Sequence, residues 1–286
     1  MMETNLTFQD HSIVISPDSP FRIIGERINP TRRKKLAETM AQGDFSLVQE
    51  DAIRQIEAGA HILDVNAGIP GGDEPALLRG AALAVMEVAN VPLCFDSADP
   101  DALQAALEVY PGKALINSTT AEEQMMERVL PLARKFNAAV IGVITDEKGV
   151  PATPVERLEV ARKLIQRAAD YGIPAQDIIV DCLALTVGAD YKAGQVTLQA
   201  MSLVRQELGV NLNLGASNIS FGLPDRKIVN AAFLALAIAR GLTTAITDPT
   251  VPEIQTTLLA CDLLMGHDEY AMRWIKAFRK RSQSAL

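Results

Sequence analysis

Cysteine and histidine are scarce in this chain, with three of each among 286 residues. Cys94, Cys182 and Cys261 are widely spaced and form no CxxC pair, so neither a disulfide framework nor a zinc site is expected. His11, His61 and His267 build no HxH or HExxH spacing, which removes the common routes to a catalytic metal; no bound metal is expected. His61 opens a strand and is expected to face the end of the fold away from any site. GxSxG, the P-loop pattern and GxGxxG are all missing, so hydrolase triads, nucleoside triphosphates and Rossmann dinucleotides lack support. Basic excess is missing too. A net charge of −8 argues against a nucleic-acid surface. The longest apolar run, residues 231–239, is too short to span a bilayer, so no membrane partner is expected. The first residues are polar and acidic without an apolar segment behind a basic one, so no signal peptide is read. Together with the unpaired cysteines this points to a reducing, cytoplasmic setting.

What is present is an ordinary globular composition, 48% hydrophobic and 22% charged, arranged as a repeated alternation of short apolar runs and amphipathic segments. Residues 1–20 read as an irregular N-terminal leader. Strands are expected at 21–29, 60–65, 91–95, 114–116, 138–144, 178–180, 210–214 and 243–246. Helices are expected at 45–58, 75–89, from about 100, 121–136, 154–171, 196–208 and 225–240, with terminal helices at 253–265 and 269–280. Eight strand–helix units predict an α/β protein with a (β/α)8 TIM barrel, a single domain over residues 21–286 with an extra C-terminal helix. A doubly wound open sheet is the alternative, but it would not bring this many strand ends to one place.

The strand ends are polar. Asp96, Asn117 and Asp181 each close an apolar run, and Asn218 lies just past another. The C-terminal ends of barrel strands open onto one face, where catalytic residues collect. Glu26 and Asn29 end the first strand, and both are read as facing the site. Asp64 and Asn66 end the second and share a side by alternation. Asp96 need not cap the following helix, because Asp99-Pro100 supplies that signal. Asn117 is freed in the same way by Ser118, Thr119 and Thr120, any of which could cap a helix beginning near Ala121. Gly215 leaves room for close approach, with Ser217 and Asn218 beside it; a glycine-led turn capped by Ser217 or Asn218 is the plainer reading. Asp64 as a buried structural carboxylate is likewise left open.

The segments IIGERIN at 23–29, LDVNAG at 63–68, CFDS at 94–97, LINSTT at 115–120, IGVITDEKGVP at 141–151, IIVDCL at 178–183 and LGASNISFGLP at 214–224 together resemble the pterin-binding methyltransferase family. That family includes methyltetrahydrofolate:corrinoid protein methyltransferases and the folate module of cobalamin-dependent methionine synthase. The resemblance runs from about Arg22 to the C-terminus and implies a TIM barrel. It implies that Asp96, Asn117 and Asp181 anchor a pterin ring, with Gly215 and Ser217 also lining that subsite. Asn218 is implied to bind the folate and reach N5 as the catalytic residue. Glu26, Asn29, Asp64 and Asn66 are implied as a supporting layer. Where the corrinoid/iron–sulfur type carries an amide soon after its SNVS, this chain has Phe221, which is closer to the tetrahydrofolate methyltransferases of demethylating systems.

The implied activity is methyl transfer, in either direction, between the cobalt of a corrinoid and N5 of tetrahydrofolate. Tetrahydrofolate or 5-methyltetrahydrofolate is the small-molecule substrate. The corrinoid (cobalamin) is expected on a separate corrinoid protein that docks on the open barrel face, because no DxHxxG pattern occurs here. A homodimer is expected from the family. A dihydropteroate synthase-like enzyme is an alternative, although strands seven and eight end in Ser217-Asn218 and Thr247-Asp248-Pro249 without a basic phosphate cluster. A folate-binding protein without catalysis is another.

Overall fold

In place of an irregular leader, the chain begins with a hairpin. The computed structural model describes residues 2–284. β1 (Thr4–Phe8) and β2 (His11–Ile15) pair antiparallel through a turn in which Gln9 takes φ 50°. Their alternation is a strand signal: Leu6, Phe8, Ile13 and Ile15 are buried while their neighbours face outward. The hairpin lies across the N-terminal end of a barrel and plugs it. Leu6, Ile13 and Ile15 pack on Ile24, Ile62, Cys94, Leu115, Ala139, Ile141 and Ile179, which fill the barrel interior. Polar ties fix its position. Asn211 Nδ2 donates to Thr4 Oγ1 at 3.0 Å and to Ile15 O at 2.8 Å, and the Tyr110 hydroxyl donates to Thr7 O at 2.9 Å.

The barrel wall is β3 (Arg22–Ile28), β4 (Ile62–Asn66), β5 (Leu93–Asp96), β6 (Leu115–Thr120), β7 (Ala139–Val143), β8 (Ile178–Asp181), β9 (Leu212–Asn213) and β10 (Thr244–Thr247). Neighbours in sequence are neighbours in the sheet and all pairs are parallel. β10 pairs with β3, and the ring closes against β9 through a Gly215–Ile246 bridge and the Ile246 N–H to Leu214 O bond of 2.9 Å. This is the expected TIM barrel.

The helices pack around it: α1 (Lys34–Ala41), α2 (Ser46–Glu57), α3 (Glu74–Val88), α4 (Pro100–Leu107), α5 (Glu123–Lys135), α6 (Pro154–Asp170), α7 (Ala193–Leu208), α8 (Arg226–Ile238), α9 (Pro252–Leu264) and α10 (Met272–Ser284). α1 has no counterpart in the sequence expectation; it is short and highly charged, and only Leu36 and Met40 are buried from it. α4 starts on the expected Asp99 cap, and α6 on a Thr153–Glu156 capping box. α5 does not start as expected. Ser118, Thr119 and Thr120 continue β6, and the first turn of α5 is served instead by Glu147, whose Oε1 accepts the Glu123 N–H at 2.8 Å.

Alternation along the strands divides the barrel interior into two levels. The lower level is apolar: Ile24, Ile62, Cys94, Leu115 and Ile179. Two residues further along the same strands stand Glu26, Asp64, Asp96, Asn117 and Asp181. His61 lies at the opposite end, where its Nδ1 accepts the Ile23 N–H at 3.1 Å and burial lowers its pKa to about 4. The hairpin therefore seals the apolar end and leaves the polar end open.

The plug also has a tight seam. A Cβ at Gly112 would lie 2.2 Å from Thr7 O, a backbone atom of β1. Gly112→Ala is therefore expected to lower stability by about 1–3 kcal/mol in urea unfolding, because the hairpin must move off the barrel. An unchanged midpoint would contradict this packing of the hairpin.

Candidate active site

Strand register brings the polar residues into contact. Asn66 pairs with Asp96 across β4 and β5, and Asp96 with Asn117 across β5 and β6. Asn66 Nδ2 donates to Asp96 Oδ2 at 3.0 Å, and Asn117 Nδ2 donates to Asp64 Oδ1 at 3.0 Å. Asp64 is buried beneath the half-buried Asp96, Asn66 and Asn117. On the other side of the mouth Asp181 accepts from Asn213 Nδ2 at 2.8 Å and from the Leu183 N–H at 2.8 Å. Between the two groups β7 offers no polar end; register sets Val143 beside Asp181, and alternation turns it inward. Glu26 stands next to the closure of the ring, where the Ser217 hydroxyl donates to its Oε1 at 3.0 Å.

These acids are held by neutral donors, and the consequence is electrostatic. Burial pushes Asp96 up to about 6, with the Asn66 hydrogen bond opposing and Glu74 reinforcing. Burial also pushes Asp181 up to about 6, against the bonds from Leu183, Asn213 and Gly215 and the charge of Arg157. Burial raises Glu26 to about 7 against the Ser217 bond. Asp64 is driven well above the carboxylate range by burial and then by Asp96. Such a set offers buried acceptors around one mouth and a carboxyl that exchanges its proton near neutrality.

The remaining expected residues are less tightly drawn in. Asn218 follows Ser217 in a single 3-10 turn, Ala216–Ser220, and is exposed at the mouth. Gly215 makes room for it, since a Cβ there would sit 3.1 Å from Asn218 Nδ2. No side chain caps this turn, so the expected capping alternative for Ser217 or Asn218 does not hold. Asn29 shapes its own loop, with Oδ1 accepting the Thr31 N–H at 2.9 Å, and is not joined to the acidic cluster by any hydrogen bond among the described residues.

Sequence reading missed three residues that serve the site. Asn213 orients Asp181, and its own Oδ1 is buried without a partner among the described residues. It sits in a polar-apolar alternation, Asn211-Leu212-Asn213-Leu214, that signals two inward amides. Arg157 is almost wholly buried in α6, and its Nη1 donates to Cys182 O at 2.8 Å and Leu183 O at 3.0 Å. It thereby braces the turn at Leu183, where φ is 56°, whose N–H holds Asp181. Val143 gives an apolar wall.

The buried acid at 181 links stability to pH. Asp181 titrates near 3.8 when unfolded and near 6 in the fold. The folded state holds that proton more tightly, so the linked stability is full below about pH 4 and is lost as pH rises through about 6. Asp181→Asn removes the linkage, and Asn213 can turn its unpartnered Oδ1 toward the new amide. The melting temperature of the variant minus that of the wild type is expected to be more positive at pH 8 than at pH 4.5, on the order of 5 °C. A difference independent of pH would contradict the burial argument.

Comparison with known proteins places the chain among relatives. The chain is 30% identical over 264 residues to the methylcorrinoid:tetrahydrofolate methyltransferase of Eubacterium limosum, covering 90% of this chain and 96% of that protein. It is 32% identical over 237 residues to methionine synthase of Mycobacterium leprae (strain TN), covering 78% of this chain but spanning only 20% of that longer protein. Among solved structures, dihydropteroate synthase of Yersinia pestis with a pterine-sulfa conjugate superposes with a TM-score of 0.68 at 16% identity, covering 92% of this chain and 99% of the other. The Xanthomonas albilineans dihydropteroate synthase with indole-2-carboxylic acid and 6-chloroguanine gives a TM-score of 0.67 at 17% identity, covering 92% and 98%. At such identities these two likenesses speak to the fold alone. Residues 25–248 match the family described as pterin binding enzyme, and with strand ends built as above, the chain belongs to that family.

Proposed function

We propose that this enzyme moves a methyl group between N5 of tetrahydrofolate and the cobalt of a corrinoid carried by a separate protein. The observation that carries the reading is the hydrogen-bonded cluster of Asp64, Asn66, Asp96 and Asn117, faced across the mouth by Asp181. A reduced pterin presents an amino group and a ring N–H side by side, and ionised carboxylates accept both. Amides supply the donor that the neighbouring ring carbonyl needs. The Eubacterium limosum relative, similar along almost its full length, bears the name of this activity.

The corrinoid supplies the cobalt–carbon chemistry, and the residues of this chain bind, orient and balance charge. When the methyl leaves N5, the bond from nitrogen to the methyl carbon breaks and its pair stays on nitrogen. That nitrogen leaves well only if a proton or a strong hydrogen bond is there to take up the charge. Asn218, exposed at the mouth and given space by Gly215, is the residue proposed to make that bond, strongest in the transition state. Glu26, bonded to the adjacent Ser217 and titrating near 7, is proposed to hold the exchangeable proton. The same groups serve the reverse direction, in which N5 gains the methyl and gives up a proton. The corrinoid protein is proposed to dock over the open rim, since the other end is sealed by the hairpin.

Purified protein mixed with tetrahydrofolate and methylcobalamin tests the reading. The cobalamin spectrum should change as 5-methyltetrahydrofolate forms. Asn218→Ala should slow single-turnover transfer by about 100-fold while tetrahydrofolate affinity changes far less. Transfer by the variant at the wild-type rate would remove Asn218 from the chemistry, and no transfer by the wild type with this or a corrinoid-protein donor would overturn the function.

A further inference from the structure

An aromatic ring flanked by two arginines stands on the rim beside the mouth. Phe221 follows the 3-10 turn that carries Ser217 and Asn218, and is 48% exposed. The Arg32 guanidinium lies 5.1 Å from its ring centroid and the Arg226 guanidinium 5.6 Å. Separate strand-end loops meet here. Arg32 comes from the loop after β3, where its backbone takes φ 60°, and Thr186, after β8, donates its hydroxyl to Phe221 O at 2.7 Å. Arg226 links the ring to the mouth, donating to Ser220 Oγ at 3.1 Å and to Ser217 O at 2.6 Å.

The two guanidiniums carry positive charge at the mouth of an acidic chain. The chain has a net charge of −8, and Arg27, Arg33, Arg54, Arg162, Arg167 and Arg273 all have carboxylate partners. Among the described residues neither Arg32 nor Arg226 forms an ion pair. A half-exposed aromatic ring and two guanidiniums without carboxylates suit a ligand that is itself an aromatic ring followed by carboxylates. Tetrahydrofolate has such a portion. Its amino-oxo edge is the one that carboxylates take at the buried level, and its benzoylglutamate tail leaves from the opposite side of the pterin, toward the rim.

Building on the folate reading above, we propose that Phe221, Arg32 and Arg226 form a subsite for the p-aminobenzoylglutamate tail. The benzoyl ring lies on Phe221, and the glutamate carboxylates lie at the guanidiniums. The subsite makes this protein select folates over bare pterins.

Equilibrium binding without any corrinoid protein tests this with tetrahydrofolate and with 6-methyltetrahydropterin, which has the same ring and no tail. The wild type should bind tetrahydrofolate at least about tenfold more tightly, and added salt should shrink that advantage. Arg32→Gln and Phe221→Ala, neither of which touches the acidic cluster, should each reduce the ratio of the two affinities about fivefold through the folate term alone. Equal binding of both ligands by the wild type, or an unchanged ratio in both variants, overturns the subsite and leaves the folate reading intact. Variants that keep the ratio but lose transfer from a corrinoid protein would also overturn it, by assigning the patch to partner docking. Binding of neither ligand to the wild type would sink the folate reading and the subsite with it.

Discussion

Carboxyl groups taken out of water and hydrogen-bonded by neutral donors are the constraint on which this molecule turns. Asp64, Asp96, Asp181 and Glu26 rest on Asn117, Asn66, Asn213 and Ser217 respectively. An amide or hydroxyl satisfies one lone pair and leaves the charge largely uncompensated, so burial dominates each shift upward. An arginine in the same place would lower the carboxyl and fill the space. The neutral donors are proposed to keep the acids available to a ligand that brings its own N–H groups, at a cost to the stability of the empty protein.

The barrel exists to carry that cost. Strand alternation sets an apolar level directly beneath the acids, and the hairpin formed by β1 and β2 closes it from below. Water is thereby kept from the lower half of the barrel, which is what raises the carboxyls above it. The loops on the open side are braced separately. Arg157 spends its guanidinium on backbone carbonyls around Cys182 and Leu183, so that the Leu183 N–H stays on Asp181. Arg226 does the same for Ser217.

Most of this was legible in the sequence wherever a local pattern sufficed. Apolar runs ending in Asp96, Asn117 and Asp181 marked both the strands and the polar face, because parallel strands put all C-terminal ends together. Asp99 read correctly as a cap because cap and proline are adjacent. Failures came where the deciding partner is distant. Ser118, Thr119 and Thr120 looked like caps, yet Thr119 and Thr120 pair with β7, Ser118 lies in the irregularity before them, and the first turn of α5 is served by Glu147 in another loop. The Leu6, Phe8, Ile13 and Ile15 alternation was readable as a hairpin, but its turn holds Gln9-Asp10 rather than glycine, and only the barrel makes burying it worthwhile. Asn213 escaped notice because its importance lies in Asp181, 32 residues away.

Asp96 and Asp181, raised by burial, are proposed as acceptors held ready for a pterin. If so, binding tetrahydrofolate must ionise them. Proton release on binding, measured by calorimetry in buffers of differing ionisation enthalpy, tests this most directly. Asp96 and Asp181 titrate near 6 in the free protein, so release should be half-developed near pH 6, larger just below it, and gone by about pH 8. Binding that takes up or releases no protons across that range would contradict the account.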